Sequence, residues 1–382
     1  MIEIKKNPMY NYLFFLIVAA AISHQVWGTL FNNFAVDVVG INGFQMGLIQ
    51  SIREIPGFLT FLVIYVLLVI KEHRLSALST ILMGLGVAIT GLFPTVQGLI
   101  ITTFLMSLGF HYFETTNKSL TLQHFNKKEA PVVFGRFSSY GAIASIIAGF
   151  FIWLSVKLLP IWTNYLIYGI VIMLIGVYSL FKNPIFKETV PQRKGMVLKK
   201  KYWLYYVLNF LSGARRQIFI AFAVFLLVQN YGFSVSEVAV LFVLNNLLIY
   251  FTAPKVAEGI NNLGERKMLT IEYVTLTFVF LGYAFIENRN IAVLLYIIDH
   301  IVFSFAIGIN TYFQKTADSE DIAPSMGVGF AINHISAVII PLVGGILWMT
   351  NWKTPFIMGA VFSVISLFFV QKIPKHIKIL QN

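Results

Sequence analysis

The chain has no cysteine, and only 12% of its 382 residues are charged. Without thiols there is no disulfide framework and no thiolate metal site, and the redox compartment is left open. Acidic residues are the scarcest charge class: 16 Asp and Glu stand against 28 Lys and Arg, a net charge of +12. Charge this sparse sets the chain apart from ordinary soluble domains, in which about a quarter of residues are charged. Catalytic signatures are missing too, with no P-loop, no G-x-S-x-G and no H-E-x-x-H in the sequence. The polar connections are too short to build a nucleotide-binding domain, so neither an ATP-driven pump nor an enzyme is expected, and no cofactor is implied.

What is present is apolar: 58% hydrophobic residues, 36 of them phenylalanine. This composition predicts an integral, all-α membrane protein. A membrane helix needs about 20 mainly apolar residues, and about twelve stretches qualify. The first half gives Tyr10 to Val36, Gly43 to Ile70, Leu75 to Phe93, Val96 to Phe125, Pro131 to Lys157 and Ile161 to Phe181. The second gives Tyr202 to Gln229, Ser234 to Glu258, Lys267 to Phe285, Asn290 to Gln314, Pro324 to Trp348 and Thr354 to Val370. Lys5 and Lys6 before an alanine-rich run suggest a signal peptide, but the apolar stretch continues to Val36, longer than a signal h-region, and reads as a retained helix.

A strongly basic soluble chain would suggest a nucleic-acid partner. Here the cations sit in short loops, and alternate connections differ sharply. One set carries nearly all the lysines and arginines, and the other holds only Lys157, Arg289 and Lys353. By the positive-inside rule both termini are expected in the cytoplasm, which suits an even number of helices. The expected location is a bacterial inner (cell) membrane. The longest polar segment, residues 182–201, reads as a cytoplasmic linker between six-helix bundles at 1–181 and 202–382.

The halves repeat each other. FAVDVVGINGF (Phe34 to Phe44) returns as FAVFLLVQNYGF (Phe222 to Phe233). APVVFGRF (Ala130 to Phe137) returns as APSMGVGF (Ala323 to Phe330), and each copy is followed by a G-x-x-x-W, at Gly149 to Trp153 and Gly344 to Trp348. An even number of helices per repeat gives both copies the same orientation, related by an axis along the membrane normal. With this architecture, and with AEGINNLGERK (Ala257 to Lys267) between the eighth and ninth stretches, the chain resembles the major facilitator superfamily. Gly264, Arg266 and Lys267 fall on that family's cytoplasmic gating signature; Asn261, Asn262 and Ala257 depart from it. The resemblance implies secondary transport by alternating access, and a central cavity lined by the first, fourth, seventh and tenth helices with parts of the second, fifth, eighth and eleventh.

The intramembrane polar residues fall on the stretches so implied. They are His24 and Gln25 on the first, Arg53 and Glu54 on the second, His111 and Glu114 on the fourth, and Arg215 and Arg216 on the seventh. Asn245 and Asn246 lie on the eighth, Asp299 and His300 on the tenth, and Asn333 and His334 on the eleventh. The third, sixth, ninth and twelfth read as almost free of mid-span charge. Such residues usually face a bundle interior or an aqueous cavity. Adjacent arginines point about 100° apart, so one of the two should face the cavity while the other meets a neighbouring helix. Glu114 and Lys118 stand in the favourable i, i+4 order and can satisfy each other. That leaves Arg53, Arg215 and Arg216 against Glu54 and Asp299, an excess of positive charge.

Guanidinium groups match carboxylate or phosphate, so the substrate expected is a small organic anion, bound by Arg215, Arg216, Arg53, His24, Gln25, Asn245, Asn246, Asn333 and His334. Two other functions are carried beside it: an exporter of amphipathic or drug-like compounds, if the arginines only neutralise carboxylates, and a non-transporting receptor on the same fold. No histidine spacing marks a metal site. Proton coupling is expected instead, through Asp299, His300, Glu114, His111 and Glu54, because histidine titrates near neutrality and burial can bring a carboxylate toward it. The expected partners are the substrate, protons and the lipid bilayer, with the protein acting as a monomer.

Overall fold

A computed structural model describes residues 7–125, 129–185, 198–318 and 321–374. Most of the central linker and the last eight residues lie outside that set. Twelve helical rods appear among the described residues. They are α1 (Pro8–Asn33, with a π-helical end Phe34–Val39), α2 (Gly43–Phe58), α3 (Glu72–Thr90), α4 (Val96–His124), α5 (Glu129–Ser155) and α6 (Ile161–Leu180), followed by α7 (Trp203–Gln229), α8 (Val235–Leu263), α9 (Glu265–Phe285), α10 (Arg289–Phe303), α11 (Ile322–Thr350) and α12 (Thr354–Val370). Among the described residues nine helices are long and apolar enough to cross a membrane, and Val235–Leu248 and Thr354–Val370 are shorter apolar helices.

The ends of the rods follow from local chemistry. The Thr95 side chain accepts from the Gly98 amide at 3.0 Å to start α4, and Asn288 takes the Asn290 and Ile291 amides at 3.0 and 3.2 Å to start α10. Ser234 and Glu237 form a reciprocal capping box before α8, which satisfies amides that have no partner within the helix. Two rods are interrupted where continuous helices were expected. After Pro56, which cannot donate a backbone hydrogen bond, α2 tightens into a 3-10 turn at Leu59–Leu62 and resumes at Val63–Val66. A similar turn at Ser304–Ala306 joins α10 to a second helical stretch, Ile307–Thr316.

The described chain divides into two compact units. The first holds α1, the second rod from Ile52, α3 to α6, and Phe233–Asn246 at the start of α8; the second holds Asn42–Ser51, α7, the rest of α8, and α9 to α12. Both units use the same pairings. In the first, α3 packs on α6 and α1 packs on α5 and α6; in the second, α9 packs on α12 and α7 packs on α11 and α12. This is the sequence repeat expressed as packing. Within the second unit the Asn42–Ser51 segment lies directly on α11: a methyl group added at Gly47 would stand 2.1 Å from the Pro341 carbonyl oxygen, and one at Gly345 would stand 2.7 Å from the Gly43 carbonyl oxygen. Only glycine permits backbones to meet at that distance.

Candidate functional site

In the second unit α7 carries the two arginines about 20 Å from its first turn, at 1.5 Å rise per residue. The helical offset separates their surroundings. Arg215 is buried, its Nη2 lies 3.5 Å from Glu272 Oε1 on α9, and the side chains of the pair are 1% and 0% exposed. Its guanidinium carbon lies 4.0 Å from the centre of the Tyr273 ring. Arg216 is exposed, with its guanidinium 4.4 Å from the Phe303 ring of α10. Asp299, also on α10, is buried within electrostatic reach of both arginines. His300 packs against Phe219 and Tyr296, with ring centres 5.3 and 4.8 Å away. One cluster thus joins Arg215, Arg216, Asp299 and His300.

Glu272 corrects two expectations. The ninth helix is not free of mid-span charge, and the carboxylate that meets Arg215 is neither Glu54 nor Asp299. With Glu272 counted, three arginines face three carboxylates and the apparent excess of positive charge disappears.

In the first unit, Arg53 donates from Nε and Nη2 to Glu54 Oε1 at 3.0 and 2.7 Å, and lies 4.9 Å from the Trp27 ring. Trp27 in turn stacks on Phe31 at 4.3 Å. Ser107 of α4 donates to the Arg53 carbonyl, tying the second rod to the fourth. Lys118 and Glu114 pair at 2.8 Å on an accessible face of α4. His24 is exposed, with its ring 6.3 Å from Phe110, while His111 is buried. Gln25 is buried and donates to Thr29. Asn246 bonds back to the Phe242 carbonyl, whereas the side-chain amide of buried Asn245 has no hydrogen-bond partner among the described residues.

The remaining predicted positions make contacts of their own, Asn333 against α7 at Gly213, two residues before Arg215. Asn333 on α11 donates to the Asn209 carbonyl at 3.4 Å, and His334 packs on Phe330. Gly264 adopts a φ of 81° between α8 and α9, where a side chain would be strained. Arg266 holds Gln371 by Nε and Nη2 at 3.0 and 2.8 Å, and Lys267 is exposed. Glu265, which falls outside the signature positions, forms an ion pair with Lys315 at 2.6 Å. Trp27, Glu272, Tyr273 and Phe303 are site members that sequence reasoning missed. No group of three or more potential metal ligands occurs among the described residues.

Long apolar rods in two similarly paired units, with charged clusters buried inside them, define a multi-pass membrane protein of the transporter class. A family model described as Major Facilitator Superfamily matches residues 13–323, and the chain belongs to that family. An uncharacterised MFS-type transporter of Methanocaldococcus jannaschii is 25% identical over 145 residues, which make up 37% of this chain and 36% of that protein. The match therefore spans about a third of the relative's length. Solved structures share the fold, among them the following three. A D323A mutant of the nucleoside transporter NupG superposes with a TM-score of 0.77 at 14% identity, covering 95% of this chain and 99% of that one. A POT family transporter in complex with 5-aminolevulinic acid gives 0.75 at 15%, covering 95% and 96%. A bacterial homologue of the human lysosomal transporter Spinster, inward-facing and occupied, gives 0.72 at 12%, covering 95% of each.

Proposed function

We propose that this protein is a secondary active transporter working by alternating access, driven by protons, whose substrate is a small organic anion. The carrying observation is the division of the arginine pair: Arg215 is buried against Glu272, while Arg216 is exposed about halfway along α7. A guanidinium stays charged at every physiological pH and offers a planar fork to carboxylate or phosphate. At mid-membrane an accessible cation is costly unless it serves a cavity or a ligand. With Glu272 added to the tally of intramembrane charges, the anion reading rests on the accessibility of Arg216 and no longer on an excess of arginine. Asp299 with His300, beside Arg216, is the proton-handling group in this reading, and the Glu114 and His111 pair is its alternative.

Flux into liposomes containing the purified protein tests it, with benzoate, succinate and a phosphomonoester as labelled anions and a lipophilic cation as the contrasting cargo. At least one anion should accumulate under an imposed pH gradient. Arg216→Lys should insert normally yet transport that anion at least tenfold more slowly, because the charge is kept and the fork is lost. Asp299→Asn should lose pH-driven accumulation and keep counterflow at equal pH, since exchange moves no net proton. Movement of the cation alone would favour an amphipathic exporter, and no flux of any kind would favour a receptor; either result overturns the anion reading.

A further inference from the structure

Glu272 lies on a helix to which the family resemblance gives no cavity role, and nothing so far gives it a task beyond neutralising Arg215. The geometry of that pair is unusual for a structural ion pair. The closest approach is 3.5 Å, and neither the three guanidinium nitrogens of Arg215 nor the two carboxylate oxygens of Glu272 make a hydrogen bond among the described residues. Arg215 is held by charge and by the Tyr273 ring face at 4.0 Å, not by a hydrogen-bonded fork. Such a hold has little directionality, so the guanidinium goes to whichever carboxylate is nearest and ionised. A second candidate is at hand. Asp299 is buried on the stretch of α10 that packs on α7, between Tyr296, whose ring lies 5.1 Å from Phe219, and Phe303, whose ring lies 4.4 Å from the Arg216 guanidinium; the charged and titratable groups that act on it from neighbouring helices are Arg215, Arg216, Glu272 and Tyr283.

We propose that Glu272 is a positioning residue: by holding Arg215 against α9 it keeps that guanidinium off Asp299, and so leaves Asp299 to Arg216 and to the proton. The inference rests on the reading of Asp299 as the proton-handling group. Remove the Glu272 charge and a fully buried arginine needs another counter-ion. Asp299, buried where α10 packs on α7, is the carboxylate placed to take that role, and a carboxylate that gains a cation within about 4–6 Å binds its proton at least tenfold more weakly.

Difference infrared spectroscopy of the full-length protein in lipid, titrated with protons alone and no substrate, reads this directly. The carboxylic acid C=O band that disappears in Asp299→Asn belongs to Asp299, and its midpoint is then followed in other variants. Glu272→Gln should move that midpoint down by at least about one pH unit. Glu272→Asp keeps the charge but draws it back by one methylene, and should give a smaller shift in the same direction. The double variant R215M/E272M removes both charges, folds because apolar side chains of similar size replace the pair, and should return the midpoint to the wild-type value. The Glu272 charge also acts on Asp299 through space, and the shift from Arg215→Met to R215M/E272M measures that effect alone; a pair that serves packing only would give Glu272→Gln a shift no larger than this. If Glu272→Gln does not fold, Glu272→Asp and the double variant decide. An Asp299 band that stays put in them overturns the inference alone. The lack of any band sensitive to Asp299→Asn overturns the proton-handling reading and the inference together.

Discussion

Replacing Gly47 by alanine adds one methyl group at a place where the structure leaves no room for it. The new carbon would stand 2.1 Å from the Pro341 carbonyl oxygen, and ordinary van der Waals contact begins at 3.4 Å. The neighbouring atoms belong to two helix backbones, so no side chain can swing aside, and the helices must separate by about 1 Å. A gap of 0.5–1 Å forfeits a quarter to a half of each contact's dispersion energy along the seam. Overpacking of this kind costs about 1–3 kcal/mol. Gly345→Ala, facing the Gly43 carbonyl at 2.7 Å, should cost somewhat less. The same substitution has an internal control. Gly135 on α5 and Gly327 on α11 are helical glycines with nothing within 4 Å of an added methyl. There alanine should stabilise by about 0.5–1 kcal/mol, by restricting the unfolded chain and raising helix propensity. Thermal unfolding of the four detergent-solubilised variants should therefore split about the wild type, two below and two at or above it. If Gly47→Ala and Gly135→Ala melt together, the close approach on α11 is not a feature of the folded protein.

Two further outcomes are expected. Cysteines introduced at Lys71 and Asn351, both exposed and in connections of opposite charge character, should label from opposite sides of the membrane, in a background with no cysteine of its own; labelling from one side overturns the expected topology. On the lysine-rich side, Lys199 and Tyr202 both bond Asp321 at 2.6 Å, and Lys201 bonds Asp318. The Lys199 hydrogen bond, then that of Tyr202, holds the Asp321 carboxyl below its ordinary value. A lowered value in the folded state means that the unfolded state binds the proton more tightly, so the contribution is complete above about pH 4 and is lost as pH falls through the folded value. Wild-type melting temperature should accordingly drop more steeply than that of Asp321→Asn between about pH 5 and 3, and parallel curves would show that the contact contributes nothing.

Hydropathy made the membrane class and the helix number legible, and the repeated FAV and G-x-x-x-W elements correspond to a packing scheme used twice. The polar positions could be placed along their helices, because rise per residue needs only a starting point. Partners could not, because they depend on the azimuth of each helix and on which helix lies beside it. Arg215 shows the difference. Its depth followed from counting, and its division from Arg216 followed from the 100° turn, but its counter-ion lay on α9, outside the helices that the resemblance assigned to the cavity. Glu272 sits five residues after Lys267, where the predicted span begins, and hydropathy alone does not separate it from the polar edge of the helix. In the structure α9 begins at Glu265 and Glu272 is wholly buried. Trp27 carried no signal at all, being one aromatic among many on an apolar helix until Arg53 is seen against its ring.

The Arg215–Glu272 pair also has an order of manufacture. The chain is made from its N-terminus, so α7 leaves the ribosome with both guanidiniums while α9 has yet to be translated, a delay of several seconds at about 5–20 residues per second. During that interval α7 must settle in the bilayer against a cost of about 2.5–3.5 kcal/mol for each arginine on the insertion scale, with no carboxylate from α9 or α10 to offset it. Membrane residence of the seventh helix therefore depends on sequence that follows it. In chains ended after Leu263 a cysteine at Asn230, exposed just beyond α7, should label only in part from the side opposite the central linker, and in the full-length chain it should label completely.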